Sequence, residues 1–358
     1  PRDFAMKTFS VIMATLNSEA TIEKSLKSLR EQDYPQELVD IMVIDGGSKD
    51  RTREIAKKYG ARVLENPEVI PVAAKLIGMR EAKGDLLMHL DSDEELCSKD
   101  ALAKRARAFE ENPGVAMLFS EGYRNPPGIP FAARYINEFG DPFSCFYYRL
   151  SKDHRFFVPK MRTLMKVAKE TDDYLLFEVG EGPQPILENA ACGNCIDVAF
   201  FRKNFSHLAD KIWGPVHFFY YMQEFTKVFA VTKNDSIRHY SADHWSALLR
   251  KTRWRIENNI FFLDDLGESG FMGRMKFDNL QGKLKRWLYL PYAFLLVPLV
   301  ADAIYLMWSR RDVAYVQHIF LTLYTAGTIA SLMAMKAFGY TPERKSYGEQ
   351  KVIAKGAS

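Results

Sequence analysis

The sequence predicts an α/β protein whose mostly parallel sheet carries helices on both faces, followed by amphipathic and membrane-directed helices. Three observations carry this. Apolar strand-length runs alternate with helix-length periodic segments through residues 9–119. Polar groups with chemical potential, Thr15, Asp45 and Asp91, fall at the ends of those apolar runs. The last quarter holds two long apolar stretches behind basic, aromatic segments.

The elements follow in order. FSVIMAT, residues 9–15, reads as a buried strand. NSEATIEKSLKSLREQ reads as a helix capped by Asn17 or Ser18, with Ile22, Leu26 and Leu29 on one face. VDIMVID is a second buried strand ending at Asp45, and GGS after it is a turn. KDRTREIAKKYG is a helix closed by Gly60. ARVLEN, then VAAKLIGMREAKG, then DLLMHLD supply strand, helix and strand. KDALAKRARAFEENPG is a helix and VAMLFSE a strand. Residues 123–150, rich in Pro, Gly and aromatics, read as irregular. Residues 190–205 read as a turn and short strand feeding a helix, and TKVFAVTKNDSIRHY as a strand with a polar edge ending at His239.

The tail differs in kind. Residues 288–308 and 313–335 are largely apolar, and about 20 such residues span a hydrocarbon core. Trp287 and Trp308 flank the first run as interfacial anchors, and its two prolines imply a bend or a re-entrant path. Two spans, a hairpin that dips and returns, and two buried helices of a soluble bundle all stay open. HWSALLRKTRWRIENNIFFL and GRMKFDNLQGKLKRW read as basic helices on an anionic membrane surface, or as solvated helix faces. The expected domains are therefore 6–240, a sheet domain; 241–287, basic surface helices; 288–338, two transmembrane or re-entrant helices; and 339–358, a polar tail.

Composition closes off other classes. With 47% hydrophobic and 26% charged residues over 358, the chain is folded and large enough for two domains. A net charge of +4 with no finger, zipper or RNA-binding motif argues against nucleic acid. Cys192 and Cys195 form a lone C-x2-C, weak support for zinc or redox work. No signal peptide is expected from PRDFAMKTFS, whose residues before Met6 read as extraneous. Neither G-x-G-x-x-G nor G-x-x-x-x-G-K-S/T occurs, which disfavours dinucleotide and P-loop chemistry.

What remains is the acidic end of GDLLMHLDSDEEL. Asp91 and Asp93, two residues apart on a turn leaving a strand, suit a shared Mg²⁺ or Mn²⁺ that neutralises a diphosphate. Glu94 and Glu95 read as the turn and the start of the next helix.

FSVIMATLNSEATIEKSLKSLREQ, DIMVIDGGSKDRTREIAKKYG and AKGDLLMHLDSDEEL together resemble glycosyltransferase family 2, over roughly residues 8–240. The resemblance implies a GT-A fold, a nucleotide-diphosphate sugar donor, Mg²⁺ or Mn²⁺, and inversion at the anomeric carbon. It implies that Thr15, Asn17 and Glu19 lie near the nucleotide, with Asp45 on the nucleoside and Asp50 following. It assigns Asp93 and Asp91 to metal and donor, Gly193 and Asn194 to the sugar pocket, and His239 to the metal and diphosphate. Ordinary hydrogen bonding remains the alternative for Asn17, Asn194 and His239.

One departure matters. The Glu-Asp pair that such enzymes use near an acceptor hydroxyl is missing from WGPVHFFYYMQEFTKVF. Glu224 is the nearest acid, with His217 and Asp210 further off. Either Glu224 or Asp210 serves as base, or the acceptor is a phosphate, already anionic and needing none. The second option fits a polyprenyl phosphate and the apolar tail, with Arg202 or membrane-proximal basic residues on the acceptor phosphate. The expectation is a membrane-attached inverting enzyme, its catalytic domain on the cytoplasmic face and its C-terminal helices offering a surface for self-association. Extension of a lipid-linked saccharide at a sugar hydroxyl, and an inactive nucleotide-sugar-binding scaffold, are the alternatives.

Overall fold

The computed structural model describes residues 6–180, 192–208, 211, 214, 216–241, 244–263 and 270–343. The chain forms two compact units, Pro1–Pro127 with Lys152–Ser241, and Gly128–Ser151 with Ala242–Ser358.

In the first unit the order is β1 Phe9–Thr15, α1 Ile22–Arg30, β2 Val39–Asp45, α2 Thr52–Lys58, β3 Arg62–Glu65, α3 Pro71–Glu81, β4 Leu86–His89, β5 Glu94–Leu96, α4 Ala101–Glu111, β6 Met117–Phe119 and β7 Tyr123–Arg124. It resumes with β8 Lys166–Glu170, β9 Tyr174–Glu178, β10 Cys195–Asp197, a helix Val198–Phe205, β11 Val228–Thr232 and β12 Ile237–His239. The large sheet runs β3-β2-β1-β4-β10-β6-β11-β9-β8.

This sheet is mixed, which corrects the expectation of a mostly parallel one. β3, β2, β1 and β4 are parallel, but β10 enters antiparallel between β4 and β6, and β9 is antiparallel to both β8 and β11. β10 has only three residues, too few to show a period in sequence.

Both faces of the sheet are covered. Phe9, Val11 and Met13 of β1 pack with Ile22, Leu26 and Leu29 of α1, Ala56 of α2 and Leu102 of α4. Truncating a buried leucine such as Leu26 costs about 2–5 kcal/mol. Ile12 alternates to the other face, where a Cβ added at Gly78 of α3 would lie 2.5 Å from it. Only glycine lets α3 lie that close to the strand.

α1 starts later than expected. Asn17 adopts φ 51°, and Ser18 contributes its carbonyl, accepting from Thr21 and Ile22, so residues 17–20 form a turn before the helix. Glu94 and Glu95 open a strand, not a helix. β5 pairs with β12, which pairs in turn with β7, in a second, three-stranded sheet.

The second unit holds what reads as irregular in sequence. Residues 128–151 contain two helices, Phe131–Phe139 and Pro142–Tyr148. Phe131, Tyr135 and Phe139 recur every four residues and are buried with Leu306, Tyr315 and Leu321. Gly140, at φ 79°, ends the first helix, and the Asp141 side chain accepts from Ser144 N–H to start the second.

Val313–Ala337 is, among the described residues, the one helix long and apolar enough to cross a membrane. The 288–308 run is no single rod. Leu280–Phe294 and Val297–Arg310 meet at 89°. Leu296 takes φ 61°, and Pro298 can donate no hydrogen bond back to the Phe294 carbonyl.

Polar groups on these apolar helices turn inward. His318, Thr322, Thr325 and Thr328 of Val313–Ala337 are buried, while Val313, Val316, Phe320 and Met333 are exposed. Asp302 accepts from Tyr292 at 2.7 Å and pairs with Arg149 at 2.6 Å. The His318 ring bridges the hydroxyls of Tyr135 at 2.6 Å and Tyr292 at 3.1 Å. Apolar outside and hydrogen-bonded inside is the arrangement that lipid favours.

Candidate functional site

The carboxyl ends of β1, β2 and β4 lie side by side, because Thr15 is in register with Asp45 and Ile12 with His89. Ligands of open α/β sheets bind beyond such ends. Three turns meet there.

The first two turns are laced together. Asn17 N–H donates to Ser48 Oγ at 2.8 Å, and its side-chain oxygen accepts from Lys49 N–H at 2.9 Å. Glu19 N–H donates to Asp50 at 3.0 Å, and its carboxylate accepts from Arg51 N–H at 2.9 Å. Asp45 is fully buried. It accepts from Thr15 at 3.2 Å, from Gly47 and Ser48 N–H at 3.0 and 2.9 Å, from Ser48 Oγ, and from Arg53 at 2.5 Å. Burial alone would push its carboxyl up, yet the bonds from Ser48, Arg53 and Gly47 hold it below the ordinary range. Asp45 thus spends its lone pairs on shaping its own turn, and Thr15 is tied to it.

The third turn carries the acids. Asp91 Oδ1 lies 3.3 Å from Nζ of Lys75, which projects from α3. Asp93 Oδ2 lies 3.3 Å from His239 Nε2 at the end of β12. Ser92 Oγ donates to Ser18 Oγ at 2.9 Å, joining this turn to the first. His239 stacks on Tyr123, ring centroids 4.9 Å apart.

Beneath them Glu94 is fully buried. Its carboxylate accepts from Asp91 N–H at 2.9 Å, Cys192 N–H at 3.0 Å and Tyr123 Oη at 2.5 Å. One side chain therefore ties the acidic turn, β7 and the segment before β10.

The charges are crowded. Burial pulls the His239 imidazole down, but Asp93, Glu94 and Asp91 outweigh it and push it up to about 9. Burial, then the Asp91 charge, pushes Glu94 up to about 7. Burial also pushes Asp91 up, opposed by Lys75 and aided by Asp93.

Among the described residues no three His, Cys, Asp or Glu side chains stand gathered around a metal position. Asp91 faces Lys75, and Asp93 faces His239. The donor chemistry nevertheless fits a hard divalent ion. Two carboxylates of one turn and a facing imidazole offer mixed oxygen and nitrogen ligands.

Asn194 is buried at the edge of this site, its carbonyl accepting from His89 N–H at 2.9 Å. Gly193 has φ 60°, and a Cβ there would come within 2.8 Å of Arg105, whose guanidinium forms a wholly buried ion pair with Asp235.

Two of the expected site residues lie away from the acidic turn. Arg202 donates to the Ala82 carbonyl at 2.6 Å, at the amino end of β4. The strand's length, roughly 13 Å at 3.3 Å per residue, separates that end from Asp91. Because β10 runs antiparallel to β4, the helix after it starts at the edge of the sheet opposite the acidic turn. Glu224 is exposed and precedes β11, which is parallel to β6. β6 and β4 both run antiparallel to β10, so Glu224 also lies at the amino edge. His217 is buried, and Asp210 lies outside the described residues.

Lys75, Glu94 and Tyr123 are the participants that sequence reasoning missed. Glu94 gives no periodic signal, since DSDEE is an unbroken polar run between Leu90 and Leu96.

Known proteins resemble this chain in part. Residues 10–164 match the family model described as Glycosyl transferase family 2. A poly(ribitol-phosphate) β-N-acetylglucosaminyltransferase, TarS, of Staphylococcus aureus is 30% identical over 131 residues, 35% of this chain and 23% of that protein. A GalNAc(5)-diNAcBac-PP-undecaprenol β-1,3-glucosyltransferase of Campylobacter jejuni is 32% identical over 121 residues, 32% of this chain and 38% of that protein. The match thus spans well under half of either relative's length. Among solved structures, the mannosyltransferase PcManGT from Pyrobaculum calidifontis in complex with GDP-Man and Mn²⁺ aligns over 93% of this chain and 90% of its own, at 15% identity and a TM-score of 0.49.

Proposed function

We propose, from the match of residues 10–164 to the Glycosyl transferase family 2 model, that this protein transfers a sugar from a nucleotide-diphosphate sugar to a membrane-held acceptor saccharide or polymer. The observation that carries the reading is the turn Asp91-Ser92-Asp93, set at the carboxyl end of β4 and held from below by Glu94. The relatives' names favour this acceptor class, since one acts on a poly(ribitol phosphate) and another on an undecaprenol-linked saccharide.

The roles follow from position. The laced turns of Asn17, Glu19 and Asp45 form a floor for the nucleoside, with Asp45 acting through the shape of its turn. Lys75 opposes the burial that pushes Asp91 up and orients its carboxylate, and His239 pairs with and orients Asp93. Gly193 and Asn194 border the sugar. Asp91, Asp93 and His239 would hold Mn²⁺ or Mg²⁺, which when bound neutralises charge on the leaving diphosphate. Attack on C1 from the face opposite that diphosphate inverts the configuration.

A second reading keeps the same donor site and changes the nucleophile. Glu224 stands away from the acidic turn, so it supplies no base there. A polyprenyl phosphate acceptor, already anionic, needs none. A screen of nucleotide sugars against lipid-linked saccharides and polyprenyl phosphates, with Mn²⁺ and Mg²⁺, tests both. A glycosidic product supports the first reading, and a glycosyl phosphate replaces it with the second. Donor binding with neither transfer nor hydrolysis under either metal would leave an inactive nucleotide-sugar-binding scaffold.

A further inference from the structure

The bent helix pair of the second unit has an apolar side that, among the described residues, stays exposed. At its corner Leu295, Leu296 and Val297 are 69%, 48% and 78% exposed. Along the arms, Trp287 and Trp308 are 60% and 76% exposed. A soluble surface rarely shows so continuous an apolar patch. Its root, by contrast, is cationic, with Lys283, Lys285 and Arg286 within four residues.

Both ends of the pair are fastened to one short stretch of chain. At the near end, Lys285 Nζ donates to the Tyr147 carbonyl at 2.7 Å. At the far end, Arg310 Nε donates to Glu138 at 2.7 Å, and Arg134 pairs with Asp312 at 2.5 Å. Glu138 and Tyr147 lie nine residues apart, on helices joined by Gly140 and Asp141. That stretch carries Arg134, Glu138 and Asp141, charges that a hydrocarbon core excludes. The two ends of the pair therefore sit on the same side of any bilayer.

The dimensions agree. Arms of 15 and 14 residues are roughly 22 and 21 Å long at 1.5 Å per residue. Held symmetrically across a right-angle bend, each arm carries the corner about 15 Å down, half of a ~30 Å core. Trp287 and Trp308 then lie roughly 8 and 12 Å above the corner, toward the interface where tryptophan settles.

We infer that Leu280–Phe294 and Val297–Arg310 form a wedge that enters one leaflet of an anionic bilayer and returns to the same side, with Lys283, Lys285 and Arg286 among the lipid phosphates. Asp302 travels with the wedge without cost of an unpaired charge, because Tyr292 and Arg149 hold it on the inner side. The inference rests on membrane attachment and not on sugar transfer.

The test uses the full chain added from outside to sealed vesicles of phosphatidylcholine with phosphatidylglycerol. Gln281→Cys, Val297→Cys and Ser309→Cys are labelled with a membrane-impermeant maleimide, and labelling is counted above that of the unmodified protein. Gln281→Cys and Ser309→Cys should both label from outside, while Val297→Cys should label about tenfold less until detergent is added. Ser309→Cys labelling only in opened vesicles would mean that the pair crosses, and would overturn the wedge. Free labelling of Val297→Cys in intact vesicles would overturn it equally. Neither result depends on catalysis, so a failed wedge and a failed glycosyltransferase assignment remain distinguishable.

Discussion

Glu94 accepts the backbone N–H of Asp91 at 2.9 Å and the hydroxyl of Tyr123 at 2.5 Å. It thereby holds the turn of Asp91 and Asp93 from underneath, without facing the donor itself. Glu94→Gln replaces one acceptor oxygen with a donor that faces N–H groups. Transfer should fall about 10–100-fold, the usual cost of losing a partner that orients ligands. Metal titration should weaken in parallel, and the mismatched buried amide should cost about 1–3 kcal/mol of stability. Unchanged transfer in Glu94→Gln would remove Glu94 from the site.

Asp93→Asn should do more damage than any change around it. The side chain keeps its shape but loses the charge that pairs with His239. Turnover should drop by about 10²–10³, as for other losses of charge stabilisation at a reacting diphosphate. Donor hydrolysis without acceptor should fall with it. An Asp93→Asn protein that still hydrolyses donor at the parent rate would sink the assignment.

Chelation should act on the same two carboxylates. Dialysis against EDTA should abolish transfer, and Mn²⁺ or Mg²⁺ should restore it. Lasting activity after chelation would show that Lys75 and His239 suffice as cations.

Glu224→Gln should be silent. The residue is exposed at the amino edge of the sheet, across from the acidic turn. Turnover should stay within about twofold and stability within about 0.5 kcal/mol, as for most surface changes. A collapse of kcat at unchanged donor affinity would instead make Glu224 the acceptor's base.

Asp45 predicts a pH dependence of stability. Its native carboxyl titrates below the ordinary range, near 3.9 for a free Asp. Its contribution is therefore complete above that value and fades as pH falls through the lower native one. Asp45→Asn should cost about 1–3 kcal/mol at neutral pH, through the bonds from Gly47, Ser48 and Arg53. In urea titrations the gap between parent and variant should narrow toward pH 3. A gap that widens on acidification would contradict the sign.

Much of the first unit was legible because its strands are long and apolar with a polar group at the end. β1, β2 and β4 announce themselves this way, and with them Thr15, Asp45 and Asp91. What stayed hidden depends on partners far off in sequence. Glu94 looks like a helix start until Tyr123 and Cys192, 29 and 98 residues on, arrive to take its oxygens. Glu224 reads as the acid nearest the missing pair because chain order says nothing of strand direction. The antiparallel insertion of three-residue β10 decides which edge of the sheet each later loop reaches. The helices within 131–148 were masked by their own prolines and glycines, although Phe131, Tyr135 and Phe139 kept a helical interval.

The crossed bonds of Asn17 and Glu19 with residues 48–51 make two turns into one inseparable part. Each turn supplies both donors and acceptors to the other, so neither keeps its shape when recombined with a stranger. A chimera that grafts residues 16–21 from another protein of similar fold would have to import residues 46–52 with them. By the same logic, substitutions that alter nucleotide preference should arise as matched pairs across the two turns rather than singly.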